Sequence, residues 1–83
     1  MKTEELLVDR NKTHGSFETN AEISQTLKLV LREHQDGLSL VQVEAVDMIC
    51  LKLSRIHSGQ SDFRDHWDDI AGYAKLAADR CSQ

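Results

Sequence analysis

The sequence predicts an all-α fold, and three observations carry this prediction. The 83 residues contain no proline, apolar residues recur at helical spacing, and no run of alternating β-branched residues favours a strand. A chain of this length forms one domain, here residues 1–83, and buries only about 60% of its unfolded surface. We therefore expect a small four-helix domain, with one short N-terminal helix and three longer ones, that assembles as a homo-oligomer.

The segment from Ser39 to His57 is predicted to be the central helix, because it is the longest strongly apolar stretch. Ser39 can cap its start, and Gln42, three residues later, can complete a capping box. One apolar stripe faces one side, and a second lies roughly opposite. The first stripe is Val43, Val46, Ile49, Cys50, Leu53 and Ile56; the second is Leu40, Met48 and Leu51. A helix that is apolar on two sides needs two partners.

Two helices are predicted before the central one. The first covers residues 3–9 and leads into a polar loop that ends at Gly15. The second runs from Phe17 to about Gln35, with Ser16 as its cap and Gly37 placed to end it. Its inner face is expected to carry Ile23, Leu27, Val30, Leu31 and His34.

The fourth helix is expected to be capped by Ser61 or Asp62 and to follow a glycine stop at Gly59. Its predicted core stripe is Phe63, Trp67, Ile70, Ala71, Ala74, Ala77 and Ala78. Trp67 has a large apolar body with one N–H donor, so we expect it to anchor the core. The opposite faces of the third and fourth helices carry Met48, Leu51, Tyr73 and Leu76. These four residues are the predicted surface of the homo-oligomer.

Charge and composition exclude several classes of partner. The net charge is −4, and four aspartates in residues 62–69 would repel a polyanion, so no nucleic-acid partner is expected. The two cysteines have neither the density of a disulfide scaffold nor the spacing of a zinc site, which favours a reducing cytoplasm. No apolar run approaches the roughly 20 residues of a membrane span, so no membrane association is expected.

Acidic residues one helical turn apart occur on the third and fourth helices. Glu44 and Asp47 form one pair, and Asp65 with Asp68 or Asp69 forms the other. If the two helices pack antiparallel, these carboxylates can converge and hold Mg²⁺, which in turn can bridge to phosphate oxygens. The predicted metal ligands are Glu44, Asp47, Asp65 and Asp69. The alternative is that these acids cap a helix or form salt bridges, for example Asp47 with Arg55 or Lys52 of a neighbouring chain.

Three segments together resemble a family of short proteins from tailed phages and prophages. They are DRxKTHGxF at residues 9–17, EAxDMIxxKLxRI at residues 44–56 and HWxDIAGYA at residues 66–74. The chain is more distantly similar to the MazG-like all-α nucleoside triphosphate pyrophosphohydrolases, which bind Mg²⁺ through acidic pairs on successive helices. This resemblance implies that Glu44 with Asp47, and Asp65 with Asp69 or Asp68, match the two acidic pairs. The doubled glutamates of that family are missing here.

Three functional hypotheses follow. The first is a Mg²⁺-dependent pyrophosphohydrolase, in which Lys12 and Arg55 stabilise the triphosphate; no catalytic residue is assigned. The second is a non-catalytic oligomer that sequesters a nucleotide signal without metal, with phosphate held by Arg10, Lys12 and His14 and the base stacked on Tyr73. The third is a helical adaptor that binds another protein. The predicted nucleotide-binding residues are thus Arg10, Lys12, His14, Arg55 and Tyr73.

Overall fold

The computed structural model describes residues 16–83, and this part of the chain consists of three α-helices without strands. Helix α1 is Phe17–Arg32, α2 is Leu40–His57 and α3 is Arg64–Ala78. The all-α prediction is confirmed for these residues. The predicted helix at residues 3–9 and the loop up to Gly15 lie outside the described residues, so three of the four predicted helices are observed.

Helix α2 begins and ends where the local sequence predicted. The Ser39 hydroxyl accepts the backbone N–H of Gln42 at 3.1 Å, and the Gln42 side chain accepts the N–H of Ser39 at 2.9 Å. These two bonds form the complete capping box. At the other end Gly59 has φ +132°, which a residue with a side chain rarely adopts. Short-range chemistry therefore sets both ends of this helix.

Helix α1 starts as predicted but ends earlier. The Ser16 side chain accepts the N–H of Thr19 at 3.5 Å, which confirms the cap. The helix ends at Arg32, three residues before Gln35. The next two N–H groups donate to carbonyls three residues earlier, in place of the four-residue spacing of an α-helix. The N–H of Leu38 donates to the carbonyl of Gln35 at 3.2 Å in a turn that contains Gly37 at φ +87°. Gly37 therefore serves the turn into α2 and does not end the helix directly.

The predicted cap of α3 is wrong. Phe63 occupies the N-cap position, and no side chain caps the helix. Ser61 is instead held by Trp67, whose indole N–H donates to the Ser61 carbonyl at 2.9 Å. The N–H of Phe63 also donates to the carbonyl of Gln60 at 3.3 Å. This turn places Ser61 and Asp62 before the helix, where neither side chain can reach its first N–H groups.

Helix α2 is the centre of the described fold, because the helix packing joins it to both α1 and α3. Both neighbours run antiparallel to it. The hydroxyl of Ser58, just after α2, donates to the Asn20 side chain near the start of α1. Ala77 near the end of α3 lies beside Ala45 near the start of α2. The prediction of a central helix with two partners is confirmed.

Burial agrees with the predicted stripe of α2 but only partly with that of α1. On α2, Cys50 and Ile56 are buried, and the remaining stripe residues are half-buried. On α1, Ile23 and Leu27 are half-buried, whereas the last part of the predicted inner face is exposed. That exposed part is Val30, Leu31 and His34. Helix α2 therefore covers only the first half of the α1 stripe.

The face of α3 that packs on α2 agrees only in part with the predicted one, because Phe63, Ile70 and Ala77 are covered and the rest of the predicted stripe is exposed. Trp67, the predicted core anchor, is 52% exposed, whereas its neighbour His66 is 1% exposed. The covered face follows the spacing of Phe63, His66, Ile70, Tyr73 and Ala77. Three alanines of the predicted stripe, Ala71, Ala74 and Ala78, are exposed. The covered face thus has His66 and Tyr73 in place of Trp67 and three of the alanines.

The observed packing of α2 and α3 also corrects the predicted oligomer surface. Tyr73 is half-buried on the covered face of α3, and Met48 and Leu51 of α2 are half-buried as well. Leu76 alone among the four predicted surface residues is exposed, at 52%. These residues therefore do not form one exposed apolar face. No helix in residues 16–83 is long and apolar enough to cross a membrane.

The two cysteines differ sharply in accessibility, and this difference can be measured. Cys50 is buried and Cys81 is exposed. Burial raises the pKa of the Cys50 thiol, and the nearby Asp47 carboxylate raises it further, while Lys28 acts in the opposite direction. Since only the thiolate reacts, we expect a thiol reagent such as DTNB to label one cysteine quickly and the other only after unfolding. The variant Cys81→Ser should lose the fast phase; two fast phases in the native protein would contradict the buried position of Cys50.

Candidate functional site

Polar residues are unusually frequent in the interior of this domain. Within residues 16–83, the buried apolar residues are Ala45, Cys50 and Ile56, and the buried polar ones are Asn20, Ser24, Ser54 and His66. Burial of polar groups costs free energy unless their hydrogen bonds are satisfied. A small domain that nevertheless buries four of them has a candidate site where they lie.

These residues lie where α1 begins, α2 ends and α3 begins. We call this region the polar end and define it by Asn20, Ser24, Ser54, Ser58 and His66. The antiparallel packing that joins Asn20 to Ser58 also brings Ser24 level with Ser54, one turn further along. The Ser54 hydroxyl donates to the Leu51 carbonyl at 2.6 Å. Ser24 is 3% exposed, and its hydroxyl makes no hydrogen bond to any described residue.

A salt bridge joins α2 to α3 next to the polar end. Lys52 Nζ lies 2.9 Å from Asp69 Oδ2, and the two side chains are 12% and 46% exposed. The hydrogen bond from Lys52 is the largest cause that lowers the pKa of Asp69; the charges of Lys52, His66 and Arg55 act in the same direction, against the effect of partial burial. Asp69 is therefore ionised at neutral pH, and it holds the lysine between the helices.

Arg55 lies on α2 one turn after Lys52 and is half-buried. Within residues 16–83, its side chain has no carboxylate within 4.0 Å and makes no hydrogen bond. Its charge reaches Asp69 only over a longer distance. Lys52 and Arg55 supply two positive charges beside Asp69 at this contact, and Asp62, Asp65 and Asp68 lie near the start of α3.

The structure brings together two of the predicted site residues. Arg55 and Asp69 lie near each other across the α2–α3 contact, whereas Tyr73 lies one turn beyond Asp69 on α3, on the side away from the polar end. The predicted phosphate ligands Arg10, Lys12 and His14 lie outside the described residues. Two of the five predicted nucleotide-binding residues, Arg55 and Tyr73, can thus be placed.

The four predicted metal ligands are spread along α2 and α3. The Lys52–Asp69 contact fixes the antiparallel register, which separates Glu44 from Asp65 by about 18 Å along the helix axes. Both of these acids are exposed, Asp47 is half-buried and Asp69 is paired with Lys52. No group of three or more His, Cys, Asp or Glu residues in positions 16–83 is arranged to hold a metal ion. Binding of Mg²⁺ stays a prediction.

Sequence reasoning missed the polar end, although a signal was present. Asn20 and Ser24 are four residues apart on α1, as are Ser54 and Ser58 on and after α2. Residues at this spacing share one face of a helix, and here that face is the one that packs on the neighbouring helix. Two polar pairs within otherwise apolar stripes therefore indicated a polar contact between α1 and α2.

Comparison with known families places the whole described fold within one family. A family model described as "Domain of unknown function (DUF6378)" matches residues 2–81. The chain belongs to this family. The match spans all three helices, the Lys52–Asp69 bridge and the polar end. Comparisons with curated proteins and with solved structures found no match. The predicted similarity to MazG-like enzymes stays a prediction, and a functional proposal has to come from the geometry of the site.

Proposed function

We propose that this DUF6378 protein binds a nucleotide through its phosphates beside the polar end. The observation that supports this proposal most directly is Arg55, a half-buried residue whose guanidinium has no acidic partner within 4.0 Å among the described residues. A partly buried charge without a counterion is costly. Arginine is also the residue whose planar donor groups match two phosphate oxygens at once.

The Lys52–Asp69 pair favours Arg55 over Lys52 as the primary phosphate ligand of the proposed site. Asp69 already engages the lysine ammonium at 2.9 Å, so this charge is held in place and largely balanced. A phosphate that pairs with Arg55 would leave this bridge intact. Lys52, one turn away on the same helix, would stay paired with Asp69 and keep the α2–α3 contact in place.

The groups around Arg55 suit the remainder of a nucleotide. The Ser24 hydroxyl is buried with unused hydrogen-bonding capacity among the described residues, and Asn20, Ser54 and Ser58 add further polar groups. Of these four residues Ser58 is half-buried and the others are buried, so Ser58 is the one open to a sugar hydroxyl of a bound nucleotide. Tyr73 offers an aromatic ring for stacking on a base. Arg10, Lys12 and His14 remain predicted additional phosphate ligands.

Mg²⁺-dependent hydrolysis, as in a MazG-like pyrophosphohydrolase, is the second candidate function. It is favoured by Asp47, a half-buried carboxylate that forms no ion pair within 4.0 Å in residues 16–83. The lowered pKa of Asp69 also keeps that group ionised, as metal ligation requires. A bound cation would offset the repulsion between such carboxylates and the phosphates.

Thermal shift measurements with a nucleotide panel test the proposal. The panel should contain mono-, di- and triphosphates, cyclic nucleotides, the bare nucleosides and inorganic phosphate, each with and without Mg²⁺. We expect phosphorylated nucleotides to raise the melting temperature of the wild type and nucleosides to have little effect. The variant Arg55→Gln should weaken binding by about 10- to 100-fold, as expected for the loss of charge-assisted hydrogen bonds.

The matched control is Arg32→Gln, because Arg32 is an exposed arginine on α1, away from the polar end. This variant should bind nucleotides like the wild type. Unchanged binding by Arg55→Gln, or the absence of any shift in the wild type, would contradict the proposal. Release of pyrophosphate or phosphate only with Mg²⁺ would select the hydrolase over the binding protein.

A further inference from the structure

The start of α2 exposes a large apolar side chain that the described fold does not use. Leu40 is the first residue of the helix and is 89% exposed, the highest value among the large apolar residues of the described part. Its neighbours Leu38 and Val41 are 39% and 41% exposed. Leu40 is thus an apolar projection at the end of the bundle opposite the polar end.

An unfilled apolar groove lies next to this projection. It is open to solvent, encloses about 480 Å³ and runs between the start of α2 and the end of α3. Its apolar lining residues are Leu38, Ala45, Val46, Ile49, Ala74 and Ala77. The three alanines leave the groove wide, because their side chains are too short to close the space between the helices. Leu40 itself does not line it.

Both signs of charge flank the groove. Asp36 lies at its edge, and Arg80 lines an adjoining hollow beside Gly37 and Leu38. Neither side chain forms an ion pair with a described residue; the Arg80 guanidinium donates to the Leu76 carbonyl at 2.7 Å. An acid and a base without ion partners therefore occur on the same small surface.

We infer that this end of the molecule is the interface of a two-fold homodimer, in which Leu40 of each copy enters the groove of the other. A two-fold interface uses the same patch on both copies and so must be self-complementary. This patch satisfies that requirement, because it has a projection, a groove and both charges. Arg80 of each copy would face the partner's Asp36. A second copy also covers apolar surface that this small domain leaves exposed.

The test compares two substitutions at equivalent helix positions. Leu40 and Phe17 are each the first residue of a helix, each follows a serine cap, and each is largely exposed, at 89% and 79%. Aspartate at this position interacts favourably with the helix dipole, so neither Leu40→Asp nor Phe17→Asp should unfold the protein. Circular dichroism of both variants checks this point.

Sedimentation equilibrium between about 1 and about 200 µM measures the assembly. The wild type should approach twice the 9.4 kDa mass of one chain. Leu40→Asp should raise the dimer dissociation constant by about 100-fold or more, because the two-fold axis doubles the effect of each lost apolar contact. Phe17→Asp should stay within about threefold of the wild type.

A charge exchange tests the predicted pairing. Asp36→Arg and Arg80→Asp should each weaken the dimer, and the double variant should restore most of the affinity. A monomeric wild type at the highest concentration would overturn the inference and leave the groove to a different protein. Equal effects of Leu40→Asp and Phe17→Asp, or no restoration in the double variant, would overturn it as well.

Discussion

Replacement of Ile56 by alanine is expected to lower the free energy of unfolding by about 2–5 kcal/mol. Ile56 is 6% exposed and is one of three buried apolar residues in positions 16–83. Loss of its side chain leaves a cavity in a core with few other apolar contacts. Because small domains have total stabilities of about 5–15 kcal/mol, a large share of the stability would be lost. Chemical denaturation followed by circular dichroism measures the change.

Trp67→Ala is the informative comparison, because the sequence alone predicts that Trp67 anchors the core. The Trp67 side chain is half-exposed, and its one described hydrogen bond goes to the Ser61 carbonyl. We expect this substitution to cost about 1–2 kcal/mol, from that bond and the covered part of the ring. A cost equal to or greater than that of Ile56→Ala would show that Trp67 is a core residue and would contradict the observed orientation of α3.

Asp69→Asn is expected to lower the melting temperature clearly at neutral pH. The substitution removes the carboxylate that pairs with Lys52, whose side chain is only 12% exposed, and leaves a nearly buried ammonium without its counterion. Since the pKa of Asp69 is lowered in the folded state, the pair stabilises the protein above the ordinary aspartate value of about 3.9. This contribution is lost as the pH falls through the lower, folded-state pKa.

Melting curves from about pH 2 to about pH 8 therefore test the sign of the effect. The gap between wild type and Asp69→Asn should be widest near neutral pH and should close below about pH 4. The neighbouring variant Asp68→Asn is the matched control. Asp68 pairs with Arg64 at the surface, where the two side chains are 57% and 88% exposed, and such pairs contribute little.

A different outcome would point to a different role for Asp69. If Asp69→Asn leaves the melting temperature unchanged or raises it at neutral pH, the carboxylate does not stabilise the fold through Lys52. Relief of carboxylate repulsion, together with a lost response to added Mg²⁺, would then support the predicted metal site. The same melts with and without Mg²⁺ distinguish the two roles.

The candidate site was predictable in part. Arg55, Asp69 and Tyr73 are predicted site residues on two successive helices, and the structure brings Arg55 and Asp69 near each other. The pairing of the charged side chains with one another was not predictable. The sequence offers Lys52 as a partner for Asp47 of a neighbouring chain, whereas in the structure it pairs with Asp69 of its own chain. Which of several nearby acids a lysine reaches depends on the register between two helices, and this register is a long-range property.

The sequence by itself determined the helical class and two of the helix starts. Ser16 and Ser39 each accept an N–H three residues later, and hydrogen bonds of such short range need no tertiary partner. Tertiary structure alone decided which face of α3 is covered. The predicted and the observed face share Phe63, Ile70 and Ala77, and they differ in whether Trp67 or His66 and Tyr73 complete the face. Helical spacing permits both faces, and the packing against α2 selects between them.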